Sequence, residues 1–238
     1  PYYIFDGDRQ TGYEILNANL VNSFTTFSIG YPVAITNTIW LGDRDNGGAR
    51  EYNLNGTPTG NTAAGGARIS QLLDGTTDGK GTNYGATCCA SQNVVTSANA
   101  DWSNQAGLFN IGVEAGGIAY DTKSGHLFVS TLRSGGVINE YDLAGNLLNS
   151  YRVGHDIAGL AYEQATDTLW GYDAFPFGGN LDLYQFSTAG AILEHDVVAG
   201  NFSNPLAGEM AVSAVPEPGT LALLGIGALA VVRRRKAA

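Results

Sequence analysis

The sequence predicts an all-β protein, a β-propeller of five blades closed by strands from both ends of the chain and followed by a short C-terminal hydrophobic helix. Three observations carry that prediction. Glycine is abundant (33 of 238 residues), charged residues make up only 14%, and short apolar runs alternate with stretches of Asn, Thr and Ser, a composition of strands and turns. A pattern of paired strands recurs along the chain. Its clearest consecutive copies place Phe128 and Trp170 42 positions apart, within the spacing of units built from four short strands.

The repeat is read residue by residue. Ile39-Trp40-Leu41-Gly42-Asp43, a Gly47-Gly48 loop and Arg50-Glu51-Tyr52-Asn53-Leu54 overlie Leu127-Phe128-Val129-Ser130, Gly135-Gly136 and Asn139-Glu140-Tyr141-Asp142-Leu143. A third copy reads Leu169-Trp170-Gly171-Tyr172, Gly178-Gly179 and Gln185-Phe186-Ser187. A weaker fourth runs from Asn93-Val94-Val95-Thr96 to Leu108-Phe109-Asn110, and a partial fifth, Tyr3-Ile4-Phe5-Asp6 with Gly12-Tyr13-Glu14-Ile15, starts the chain. A further strand precedes each full unit, at residues 31–35, 117–121 and 159–163. Residues 117–153 then make one whole blade, with Gly-Ile-Ala-Tyr innermost, Leu-Phe-Val-Ser second, Val-Ile-Asn-Glu-Tyr third and Leu-Leu-Asn-Ser-Tyr outermost.

Residues 207–212 form an inner strand with no blade after it, and the N-terminus supplies outer strands without an inner one. Together they make a composite fifth blade, which removes an exposed sheet edge. The Gly/Thr/Asn-rich stretch 57–87 is expected to be an insertion loop or one more blade. A β-sandwich would also show short strands at these intervals, but it does not require an internal repeat.

The net charge is −10, and without the four cations and one acid of the tail the first 215 residues carry −13. So acidic a body disfavours nucleic acid as a partner. The only cysteines, Cys88 and Cys89, are adjacent and match no zinc spacing; a vicinal disulfide or two thiols are both open. Asp121 and Glu163 end innermost strands at equivalent positions, and Asp43 and Asp173 end second strands. They are the candidate ligands for calcium, the one cofactor considered, against a reading as turn residues that bond their own backbone. His126, His155 and His195 fall in different units and form no ligand spacing. Trp40 and Trp170 are candidates for stacking on a sugar ring, against a reading as packing between blades. No nucleophile elbow or phosphate loop occurs.

The tail from residue 215 to 238 has a different character from the body, residues 1–214. Pro216-Glu217-Pro218 is followed by an uninterrupted apolar run, residues 220–232, and then by Arg233, Arg234, Arg235 and Lys236. As a helix that run rises only about 20 Å against a hydrocarbon core of roughly 30 Å. It is a short, marginal transmembrane segment, whose arginines reach the interface by extending their stems. The basic cluster orients it with the cations cytoplasmic and the body across the membrane. The competing reading is a last buried helix of the body, which four consecutive cations do not suit.

This arrangement resembles the PEP-CTERM sorting signal. The resemblance implies that Pro216, Glu217 and Pro218 are the recognition motif of an exosortase, that the apolar run holds the chain temporarily in the inner membrane, and that the tail is then removed. It also implies a cell-surface or extracellular setting rich in exopolysaccharide. The body resembles NHL-like propeller repeats without a family-specific signature. A chain with this tail is expected to enter through a secretory signal, and none opens this sequence, so a longer precursor is expected. The reading is therefore an exported, non-enzymatic binding or structural module of the cell envelope, with exopolysaccharide as a candidate ligand. The alternative is a secreted metal-dependent propeller hydrolase of lactonase or esterase type, which requires carboxylates or histidines converging in the central channel.

Overall fold

The computed structural model describes residues 4–5, 13–14, 32–35, 38–42, 48–53, 57–63, 72–87, 93–174 and 180–198. Among them every regular element is a strand. Ile4–Phe5 (β1) pairs with Tyr13–Glu14 (β2), and the remaining strands form four antiparallel sheets of four, each in simple chain order. The first blade comprises Pro32–Ile35 (β3), Thr38–Gly42 (β4), Ala49–Asn53 (β5) and Pro58–Ala63 (β6). Leu72–Thr77 (β7), Thr82–Thr87 (β8), Val94–Asn99 (β9) and Ala106–Asn110 (β10) make the second. The third contains Ala115–Tyr120 (β11), Leu127–Thr131 (β12), Val137–Tyr141 (β13) and Leu147–Arg152 (β14), and the fourth Ile157–Glu163 (β15), Thr168–Asp173 (β16), Leu181–Ser187 (β17) and Ile192–Val198 (β18). The first strands of successive blades pack on one another, β3 on β7, β7 on β11 and β11 on β15. This radial order is that of a β-propeller and excludes two sheets packed face to face.

The repeat deduced from sequence matches the third blade strand for strand, and Trp40, Phe128 and Trp170 pair with Glu51, Glu140 and Gln185 of the third strands in the same register. Two expectations need correction. The weaker copy at 93–110 supplies the third and fourth strands of its blade, β9 and β10, rather than the second and third. The stretch 57–87 is not an insertion loop. It provides β6, then β7 and β8, because Leu72, Leu73, Tyr84 and Ala86 bury their side chains among Thr and Gly that present little apolar surface of their own. The composite fifth blade needs the strand at 207–212, and the C-terminal helix needs 220–232; both lie outside the described residues, as do Cys88 and Cys89.

Burial falls from the axis outward. Every residue of β7 and β11 except the last is buried, whereas β14 is exposed at all positions but the half-buried Tyr151. Apolar side chains fill each space between blades: Trp40, Ala49, Leu72, Ala98 and Trp102 between the first and second, Tyr84, Val95, Ile118 and Leu127 between the second and third, and Phe128, Ile138, Leu160 and Phe186 between the third and fourth. Near the axis the third and fourth blades meet backbone to backbone. A Cβ at Gly117 would lie 2.5 Å from the Leu160 nitrogen, and one at Gly116 2.1 Å from the Ile157 carbonyl oxygen, distances that no side chain can occupy.

Hairpin tips fasten neighbouring blades at the rim. In the β13–β14 turn Asp142 accepts from the amides of Ala144 and Asn146, and Gly145 takes a φ of +86°. The β17–β18 turn repeats this with Ser187 accepting from Ala189 and Ala191, and with Gly190 at +78°. Gly145 sits against Phe109 of the second blade and Gly190 against Tyr151 of the third, each so close that a Cβ would overlap the ring's own Cβ. Glycine is required there twice over, by its left-handed backbone and by the contact.

Candidate functional site

Two sets of polar groups stand out, one at the axis and one at the rim. At the axis, Asp74 on β7 is fully buried. Its Oδ2 accepts the backbone N–H of Ile118 on β11 at 2.9 Å and that of Leu160 on β15 at 3.1 Å. One carboxylate thus joins the inner strands of three blades. Thr76, two residues on, repeats the device by accepting from the amide of Tyr120 at 3.2 Å. Tyr172, buried near Asp74, has its phenol pushed well up, first by burial and then by the Asp74 charge. The signal for Asp74 was present in the sequence as a carboxylate inside the run Leu72-Leu73-Asp74-Gly75.

At the rim, a third-strand glutamate ties each of two blades together. Glu51 accepts from Thr38 at 2.7 Å, Thr59 at 2.9 Å and Asn61 at 2.6 Å. Glu140 accepts from Nδ1 of His126 at 2.6 Å, from Asn149 at 2.7 Å and from the Tyr151 hydroxyl at 3.1 Å. His126 and Thr38 occupy the same place in the repeat, two residues before Phe128 and Trp40, and in the fourth blade Thr168 takes that place and receives Gln185 at 2.9 Å. Burial pushes both glutamates up, but the hydrogen bonds outweigh it and hold both carboxyls below the ordinary value. The Glu-Tyr pair shared by 51–52 and 140–141 was visible in the repeat, though its role was not.

Between the third and fourth blades the rim opens into a cleft of about 530 Å³, lined among others by Asp121, Lys123, His126, Glu140, Tyr151 and Asp167. Lys123 in the β11–β12 turn bridges to Asp167 in the β15–β16 turn, and the Tyr162 hydroxyl donates to Asp167 at 2.9 Å. The Lys123 ammonium and the Tyr162 hydroxyl hold the Asp167 carboxyl below its usual range. The Tyr162 phenol is pushed strongly up, by burial first and then by Asp167 and Asp121.

The candidates named from sequence fall as follows. Asp121 closes its own turn, accepting from the amides of Lys123 at 2.7 Å and Ser124 at 3.2 Å and from the Ser124 hydroxyl at 2.6 Å. Glu163 accepts from Thr166 at 2.6 Å and from the indole N–H of Trp170 at 2.9 Å. Among the described residues no three His, Cys, Asp or Glu side chains stand together as a metal site; Asp43 lies outside them. Trp40 is only 4% exposed and is enclosed by Ala49, Leu72, Ala98 and Trp102, which corrects its assignment to sugar stacking. Trp170 is half-buried with its indole nitrogen engaged.

Two of the three histidines meet on one aromatic ring, without forming a metal-ligand group among the described residues. His155 and His195 stack on Tyr184 with centroids 4.3 and 4.4 Å away. Each also meets a carboxylate, Asp173 at 3.3 Å and Asp182 at 2.9 Å. Pro216, Glu217, Pro218 and the cluster Arg233–Lys236 lie outside the described residues, and among those residues no helix is long and apolar enough to cross a membrane.

The blades define the class of the body, a β-propeller. It is similar to a chain of the Nidogen/Laminin complex at 15% identity and a TM-score of 0.57, over 87% of this chain and 77% of that one. It is also similar to hydrazine synthase from Kuenenia stuttgartiensis at 13% identity and a TM-score of 0.52, over 73% and 50%. At such identities the likeness shows the fold alone. No curated protein sequence matches the chain. The tail is more specific: residues 214–236 match the PEP-CTERM protein-sorting motif. The protein is therefore an exported propeller whose C-terminal signal directs processing by an exosortase.

Proposed function

We propose that the protein is held briefly in the inner membrane by its tail, released by exosortase cleavage to the cell surface or extracellular matrix, and acts there as a non-enzymatic module that binds exopolysaccharide. The sorting motif at 214–236 carries this reading. A helix across residues 220–232 is too short for a lasting span, which suits a chain awaiting release. Four carboxylates of the body are engaged within the fold, Asp74 joining blades, Glu51 and Glu140 joining strands and Asp121 closing a turn, and Asp121 and Glu140 also line an open cleft at the rim.

The test is made in the native host. Intact-mass measurement of the exported protein is expected to show loss of residues beyond the Pro216-Glu217-Pro218 motif, and the processed body is expected to co-sediment with the host's purified exopolysaccharide. Exported protein that retains the complete tail refutes processing, and a body left in the supernatant refutes the binding role.

A further inference from the structure

We infer that the cleft between the third and fourth blades is the saccharide site, and that it takes an uncharged or amine-bearing sugar rather than an acidic one. This rests on the binding role proposed above and adds the place and the chemistry. The cleft, about 530 Å³, is in the range that holds a small ligand. Asp121, Glu140 and Asp167 line it against the single ammonium of Lys123 and the imidazole of His126, so carboxylates outnumber cations in either state of His126. Uronates, sulfates and phosphates meet repulsion there.

What the cleft offers suits hydroxyl and ammonium donors. Glu140 accepts three hydrogen bonds and Asp167 two, from Lys123 and Tyr162, while a carboxylate has about four lone-pair sites. Acceptor capacity remains on both. Tyr151 adds a fixed aromatic wall: its hydroxyl is tied to Glu140 at 3.1 Å and its stem is pressed by Gly190. A ring held in this way loses little rotamer freedom when a sugar packs against it.

The experiment is calorimetric titration of the processed body with three defined probes, a glucosamine trimer, a cellotriose and a galacturonate trimer. The expected result is measurable binding of at least one of the first two and affinity about tenfold or more weaker for the galacturonate trimer. Ala189 is exposed on the β17–β18 turn and lines the cleft without joining its hydrogen bonds. Ala189→Trp is therefore expected to fold normally and to weaken binding about tenfold or more by filling the space, and Tyr151→Phe, which frees the ring from Glu140, less so. Unchanged affinity in Ala189→Trp, or preference for the galacturonate trimer, overturns the cleft assignment. If the host polysaccharide co-sediments with the body while Ala189→Trp binds it equally well, the cleft assignment falls and the binding role stands. If no saccharide of any kind binds, both fall.

Discussion

At the scale of single residues, Asp74 has the largest consequences. Its carboxylate accepts two buried backbone amides from two other blades, and a buried donor left without an acceptor costs about 1 to 3 kcal/mol. Asp74→Ala is expected to lose about 2 to 5 kcal/mol of unfolding free energy in urea denaturation. Asp74→Asn is expected to lose less, because its amide oxygen still accepts. A loss below about 1 kcal/mol in the alanine variant would mean that the three blades do not depend on this contact.

Glu51 and Glu140 make a separate prediction, in pH. Their folded-state values lie below the ordinary one, so each contributes stability that is present above the unfolded value of about 4.3 and is lost as pH falls through the folded value. Unfolding free energy measured from pH 7 to pH 3 is expected to drop below about pH 4.3, and the double variant Glu51→Gln, Glu140→Gln to show a shallower drop.

At the scale of elements, the hairpin tips govern how blades lock. Gly190 holds a φ of +78° with Tyr151 against it. Gly190→Val is expected to destabilise by about 1 to 3 kcal/mol through overpacking and backbone strain, with a lower thermal midpoint as the readout. A valine tolerated without loss would show that the tip does not fasten the blades.

The elements also show what could be read in advance. The third blade was legible because Leu127-Phe128-Val129 and Val137-Ile138 alternate with clear turn residues. The inner strand β7 was not, since Leu72-Leu73-Asp74-Gly75-Thr76 reads as loop by composition and is buried only because neighbouring blades cover both its faces. Nor was the cleft, whose walls come from turns 44 residues apart in the chain, as Lys123 and Asp167 are. Period and polarity report on strands, whereas such juxtapositions depend on how blades are stacked.

For the whole molecule, the sorting motif and the propeller are separable in composition. Residues 214–236 carry the signal, and the described blades end at Val198. A chain truncated after Val215 is expected to unfold within about 1 kcal/mol of the full chain in urea, the scatter ordinary for surface changes. A larger loss would place part of the tail in the fold.

The contact from Asp74 to Leu160 spans 86 positions of chain and that to Ile118 spans 44. In a polypeptide that leaves the ribosome at about 5 to 20 residues per second, several seconds therefore pass between the emergence of Asp74 and that of the fourth-blade amide it accepts. During that interval the inner strands of the early blades lack their covering neighbours. Closure of the inner strands around Asp74 therefore waits on the fourth blade and is not completed one blade at a time.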